Sequence, residues 1–165
     1  MLRKSVLWLL PLLVVMGCKS DRPADNEAYQ LGEVDLEVTG SPEALSYFEK
    51  GLLLLHSFEY EDARAAFQKA QKADEDFAMA YWGEAMTYNQ PIWHRQQYAK
   101  GDSTMNRLGK SLEEQLAKAG TPLEKDLIRS LDVLYGEGQK ADRDQAYAEF
   151  MSDLYDRYPG QQEVA

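Results

Sequence analysis

The sequence predicts an all-α domain of antiparallel helical hairpins, and three observations support that prediction. Apolar side chains recur at helical spacing, as Leu108, Leu112 and Leu116 do. Ser41 and Thr121 each stand directly before a proline, with an acidic residue two or three positions after the cap, a pattern typical of helix N-termini. The connections between the apolar segments are short, which favours neighbouring helices that run in opposite directions.

Most of the predicted helices have a start or stop signal in the sequence. Ser41 caps the first helix, whereas Pro91 ends the third, because the residue before a proline is pushed out of the helical region. Thr121 and Glu124 form a capping box. Gly120 ends the fourth predicted helix, and the glycines at 136 and 138 end the fifth, which the capping box begins. The predicted helices cover residues 42–56, 60–73, 78–88, 108–120, 122–135 and 141–158.

The N-terminal sequence predicts a signal peptide. Arg3 and Lys4 precede about eleven apolar residues, which is too few for a membrane-spanning helix of ~20 residues. The run ends in Gly17 and Cys18, the only cysteine, and resembles the lipobox of bacterial lipoproteins. That resemblance implies cleavage after Gly17 and a diacylglycerol on the Cys18 thiol. An ordinary secretory signal with an incidental cysteine, or a free buried thiol, is the alternative.

Three regions follow from this pattern. Residues 1–17 are the predicted signal peptide, residues 18–40 a lipidated cysteine and flexible tether, and residues 41–165 the helical domain. Within the tether, residues 34–38 alternate apolar and polar side chains, which indicates a short strand or an extended segment docked on the domain. We favour extended docking.

The net charge of the chain limits the kinds of binding partner that we expect. The formal net charge is −10, and no cluster of Lys and Arg stands out, so nucleic acid is excluded as an expected partner. Anionic membranes would be mildly repelled, so we expect membrane attachment through the lipid only. Lys19 after the cysteine favours the outer membrane, with the domain facing the periplasm.

Residues 44–77 resemble a tetratricopeptide repeat, a helical hairpin of ~34 residues. The resemblance rests on small and large residues at the family's spacing in the first copy and, more loosely, in two further copies. In the first copy these residues are Tyr47, Gly51, Leu54, Ala63, Phe67 and Ala70. The resemblance implies a right-handed superhelix of about three repeats, with an insertion of roughly fifteen residues in the second.

The family's geometry also implies a concave groove. Tyr81 falls in the packing layer and Trp82 on the groove, which is apolar and suits a helix or extended segment of another protein. The alternative is that missing repeats, the Pro91 insertion or residues 34–38 cover this face permanently. The predicted groove residues are Phe48, Leu52, Leu55, His56, Met79, Trp82, Met86 and Asn89.

The insertion after Asn89 is a candidate binding loop, because it carries residue types that are frequent in binding hot spots. These residues are Trp93, His94, Arg95 and Tyr98. The alternative is that Ile92 and Trp93 plug the gap that the inserted residues create. The two histidines, His56 and His94, lack a metal-binding spacing, and no nucleophile or phosphate loop stands out.

We therefore expect a non-enzymatic, lipid-anchored scaffold that binds another protein at the bacterial cell envelope, with no cofactor and no metal; its oligomeric state and its partner's identity are open. The alternative is an accessory or metal-dependent enzyme component whose active part lies in missing repeats. A third possibility is a structural spacer. Residues 161–165 resemble the start of a further helix, so we expect either a fragment or a chain whose remaining repeats are missing.

Overall fold

The computed structural model describes residues 32–164, which form a mostly helical domain with one tiny two-stranded hairpin. The signal peptide and Cys18 lie outside the described residues. In the described part, seven α-helices pack pairwise, α1 against α2 and α2 against α3. They are α1 Pro42–His56, α2 Tyr60–Ala73, α3 Ala78–Met86, α4 Tyr98–Leu108, α5 Leu112–Lys118, α6 Pro122–Leu134 and α7 Lys140–Arg157. None of the helices in this part is both long and apolar enough to cross a bilayer.

The predicted helix starts at Ser41 and Thr121 are confirmed. The Ser41 hydroxyl accepts a hydrogen bond from the backbone N–H of Ala44 at 3.3 Å. Thr121 and Glu124 form the reciprocal capping box, in which the Thr121 hydroxyl accepts from the Glu124 N–H at 3.1 Å. Both caps satisfy helix N–H groups that have no partner within the helix.

The prediction of one helix through residues 108–120 is wrong. Gly109 ends α4 in an extended conformation, and the Ser111 hydroxyl then caps α5 by accepting from the Glu114 N–H at 3.2 Å. The Glu114 carboxylate in turn accepts from the backbone N–H of Lys110 at 2.7 Å. A glycine followed by Ser-x-x-Glu therefore divides the leucine pattern between two helices.

The insertion is a small folded unit and not a long loop. Strand β1 (Asn89–Gln90) pairs antiparallel with strand β2 (Arg95–Gln96), and a 3₁₀ turn at Pro91–Trp93 joins them. His94 adopts a left-handed backbone with φ of 50°, which reverses the chain. Because α4 already begins at Tyr98, the second half of the predicted insertion is helical.

Residues 34–38 dock on the domain as extended chain, as predicted. Leu36 is buried in the core cluster, and Val34 and Val38 pack against that cluster. The end of the segment is held by Glu124, whose side chain is buried and accepts hydrogen bonds from the Thr39 N–H and hydroxyl. Glu124 therefore links the extended segment to the start of α6.

Two glycines make the close contact between the first helices possible. A β-carbon on Gly51 in α1 would lie 2.7 Å from the Phe67 ring, and one on Gly83 in α3 would lie 2.3 Å from it. Both distances are shorter than van der Waals contact. Phe67 is fully buried, so its ring fills the space that the two missing side chains leave.

We expect Gly83→Ala to lower the free energy of unfolding by about 1 to 2 kcal/mol. Alanine favours the helix by about 1 kcal/mol over glycine, but overpacking against the immobile Phe67 ring costs more. Urea unfolding measures the difference, and adding Phe67→Leu should relieve part of it. A more stable Gly83→Ala variant would contradict the placement of Phe67 against α3.

Candidate functional site

The predicted groove is not open at its centre. Phe48, Leu52 and Met79 are fully buried and Trp82 is 3% exposed, so the prediction that these four side chains line an accessible groove is wrong. Phe48 packs its ring against Phe67 at 5.7 Å and against Phe77 at 5.2 Å between ring centroids. These side chains are core residues.

Segments from distant parts of the chain share the core cluster with these residues. Leu36 of the extended segment, Leu154 of α7 and Val164 of the C-terminal 3₁₀ turn (Gln162–Val164) are buried in the same cluster. The α3 helix contacts α1, α2, α4, α5 and α6 and therefore has neighbours on most sides. The alternative that other segments cover this face agrees with the observed burial.

The four other predicted groove residues are less buried. Leu55 and Met86 are half-buried, and the Tyr147 hydroxyl of α7 lies 4.0 Å from the Met86 sulfur. Asn89 is half-buried in β1, where its Oδ1 accepts from Gln96 Nε2 at 3.4 Å. Two of the four predicted residues, His56 and Asn89, are polar and take part in hydrogen bonds.

The exposed His56 at the end of α1 contacts the C-terminal turn. Its Nε2 lies 2.9 Å from a carboxylate oxygen of Glu163. This hydrogen bond raises the pKa of His56 above its usual 6.5, although partial burial opposes the rise. Protonated His56 therefore holds the turn against α1 more strongly than neutral His56 does.

The His56 contact predicts a small pH dependence. Because the folded pKa is raised, its contribution is fully present below about pH 6.5 and is lost as pH rises through the folded pKa. His56 is exposed, so we expect less than about 1 kcal/mol. Unfolding of Glu163→Gln and wild type at pH 6 and pH 8.5 measures it. An equal difference at both values would contradict the ion pair.

The predicted binding-loop residues are exposed but do not act as one group. Trp93, His94 and Arg95 lie at the tip of the hairpin. Tyr98 instead points to the α6–α7 junction, where its hydroxyl donates to the Gly136 carbonyl at 3.2 Å and the Arg143 guanidinium lies 4.7 Å from its ring. The structure therefore divides the predicted loop into two parts.

The hairpin tip joins the α1–α2 turn in an aromatic patch, formed by the exposed Phe58, Ile92 and Trp93 and the half-buried Tyr60. The Trp93 ring lies 5.8 Å from both the Phe58 and the Tyr60 ring centroids. Ile92 is 60%, Phe58 51% and Trp93 50% exposed. The alternative that Ile92 and Trp93 plug an internal gap is therefore wrong.

Phe58 was not predicted as a site residue. It has a left-handed backbone with φ of 62°, a conformation that non-glycine residues rarely adopt. The signal in the sequence was a large apolar residue inside a three-residue turn between helices, where polar residues or glycine are usual. Its contact with Trp93, which lies far along the chain, has no local pattern in the sequence.

A buried carboxylate, also not predicted, lies between α2, α3 and α4. Glu84 is 2% exposed and accepts from Gln68 Nε2 at 2.9 Å, Gln71 Nε2 at 2.6 Å and Arg107 Nη2 at 2.5 Å. Buried carboxylates require such partners, because desolvation of an unpaired charge is costly. These four residues form the Glu84 network.

An open polar cleft of about 400 Å³ lies beside the Glu84 network. Cations and anions both line it, and Lys118 Nζ pairs with Asp76 at 2.9 Å. The Arg107 guanidinium lies 5.7 Å from the Tyr81 ring. The cleft is lined by Gln68, Gln71, Lys72, Glu75, Asp76, Tyr81, Arg107 and Lys118.

Within residues 32–164, no three His, Cys, Asp or Glu side chains are placed to hold a metal ion. His56 and His94 do not belong to such a group. Comparisons of this chain with protein-family models, with curated proteins and with solved structures find no match.

Proposed function

We propose that this chain is a lipid-anchored scaffold of the bacterial cell envelope that binds another protein. The proposal includes a tetratricopeptide-like arrangement, a right-handed superhelix of about three repeats in which the hairpin insertion interrupts the second. The antiparallel α1–α2 hairpin supports this arrangement, as does the packing of Phe67 between Gly51 and Gly83. The small residue of α3 that meets the Phe67 ring is Gly83, whereas a repeat spacing of 34 residues from Gly51 predicts Ala85 at that position.

The polar cleft is our candidate for the protein-binding surface, and its composition is the observation that carries the proposal. It is open and concave, four helices or their ends contribute to it, and the Glu84 network fixes one wall. Both signs of charge line it, which suits an extended segment with alternating charged side chains. The inner face of the predicted groove is less suitable, because its central side chains are buried.

The anchor has its own test. If Cys18 carries the lipid, Cys18→Ala should abolish labelling by palmitate and leave an uncleaved or mis-sorted precursor. Labelling of wild type in growing cells, followed by electrophoresis, measures both effects. Equal labelling of the two chains would remove the lipoprotein assignment and leave the cleft proposal intact.

The cleft is tested by a photo-crosslinking residue at Lys72 in intact cells, with the same residue at the exposed Asp153 of α7 as the matched control. We expect one discrete protein adduct from position 72 and none of that mass from position 153. Lys118→Glu, which reverses a charge of the cleft, should reduce the yield several-fold. Identical adduct patterns from both positions would contradict a specific surface.

A further inference from the structure

We propose that the aromatic patch docks on the surface of the bilayer that carries the lipid anchor, so that the domain has a second, non-covalent membrane contact. This inference rests on the anchor at Cys18 and adds to it, since the sequence alone led us to expect attachment through lipid only. The argument uses the chemistry of the patch, its charged surroundings and the position where the described chain begins.

The patch has the composition of a membrane-interface contact. Trp and Tyr concentrate at membrane–water interfaces, because their rings are apolar and their polar atoms stay hydrated. Trp93 and Tyr60 meet this description, and the neighbouring Phe58 and Ile92 supply apolar surface that water covers poorly. Two turns with left-handed residues, Phe58 and His94, hold this surface at an end of the domain.

The described chain begins near the same end of α1. A β-carbon on Gly32 would lie 3.9 Å from Leu53 Cδ2, and Leu53 stands five residues before Phe58. Five residues span about 7.5 Å along a helix, so Gly32 enters the fold close to the α1–α2 turn. The extended segment then runs back to Thr39 and Ser41 at the other end of α1.

The length of the intervening chain limits how far the domain can lie from its anchor. Residues 19–31 separate Cys18 from Gly32 and can span at most about 45 Å. The shortest path from the anchored cysteine to the domain leads to the end where Gly32 lies. The chain from the anchor therefore enters the domain at the end that carries the aromatic patch, and this end can reach the bilayer surface.

The charges near the patch define the kind of membrane. Glu59 and Glu61 are exposed beside Phe58 and Tyr60, and Arg95 is exposed beside the hairpin tip. Because the acidic groups outnumber the cation, an anionic surface offers no net attraction. We therefore assign the contact to a zwitterionic bilayer interface, held by ring insertion and insensitive to salt.

The two tryptophans of the mature chain give a direct test. Trp82 is in the core and Trp93 is in the patch, so only Trp93 can meet lipid. The full acylated protein is reconstituted in phosphatidylcholine vesicles with or without bromine on the acyl chains, which quenches nearby tryptophan. We expect a marked loss of Trp93 emission at low and high salt, and none in Trp93→Phe. Phe58→Ser combined with Ile92→Ser, which retains both tryptophans, should reduce the quenching several-fold.

Each other outcome overturns the inference in a recognisable way. Unquenched emission from protein that floats with the vesicles and carries the acyl chain by mass spectrometry would refute the patch contact while the anchor stands. Absence of the acyl chain and of flotation would refute the anchor and the inference together. A blue shift of Trp93 emission that depends on protein concentration without lipid would assign the patch to a second copy, and one that requires an added protein would assign it to that protein.

Discussion

Trp82→Ala is expected to lower the free energy of unfolding by about 3 to 5 kcal/mol, the usual cost of removing a buried aromatic ring. Trp82 is 3% exposed, and the core around it draws on several segments that cannot all collapse into the cavity. Trp93→Ala, the same substitution in the aromatic patch, should cost about 1 kcal/mol or less. Urea unfolding followed by circular dichroism compares the two variants.

A second substitution of Trp82 separates the effect of the lost ring volume from the effect of the lost indole N–H. Trp82 Nε1 is buried without a hydrogen-bond partner among the described residues, so phenylalanine would lose no hydrogen bond there. Trp82→Phe should therefore cost much less than Trp82→Ala. If Trp82→Ala and Trp93→Ala proved equally mild, the buried position of Trp82 would be incorrect and the groove would have to be open.

Local signals predicted most of the helices. A cap such as Ser41 or Thr121 acts within one turn of its own helix, so its pattern is visible in a few consecutive residues. The same kind of signal was present at Ser111 and Glu114 but was missed, because the regular leucine spacing across residues 108–116 suggested one continuous helix. The extended conformation of Gly109 shows that a glycine can interrupt such spacing.

Burial of the predicted groove could not be predicted in the same way. Repeat spacing places Trp82 on the inner face of α3, but whether that face is open depends on segments far away in sequence. Leu36 and Val164 share its cluster although more than forty residues separate each of them from Trp82. No local pattern identifies such partners, so the sequence left the open and covered alternatives undecided.

For the same reason, the sequence allowed only part of each candidate functional surface to be predicted. Trp93 was predicted from its residue type within an insertion, whereas its neighbour Phe58 belongs to a turn much earlier in the chain. Glu84 looked like one of many surface acids, because its partners Gln68 and Arg107 lie on α2 and α4. In both cases the sequence shows the residue type but not its partner in the folded structure.

The Glu84 network leads to the last prediction. Arg107→Met should lower the free energy of unfolding by about 2 to 3 kcal/mol, because it leaves the buried Glu84 carboxylate without its cation. The value falls below that of a fully buried pair, since the Arg107 side chain is 47% exposed and water reaches it. Glu84→Met should cost a similar amount, because the amides of Gln68 and Gln71 then lose their acceptor.

The double variant measures the interaction between Glu84 and Arg107 separately from the cost of each single substitution. With both charges removed, no uncompensated carboxylate is left, so Glu84→Met with Arg107→Met should cost less than the two single costs together by about 1 to 2 kcal/mol. Strict additivity in urea unfolding would mean that the two side chains do not interact. Because Arg107 also lines the polar cleft, the double variant separates stability from binding. If it folds well but loses the adduct formed from position 72, binding depends on Arg107 or on the cleft wall that Glu84 holds, and not on stability alone.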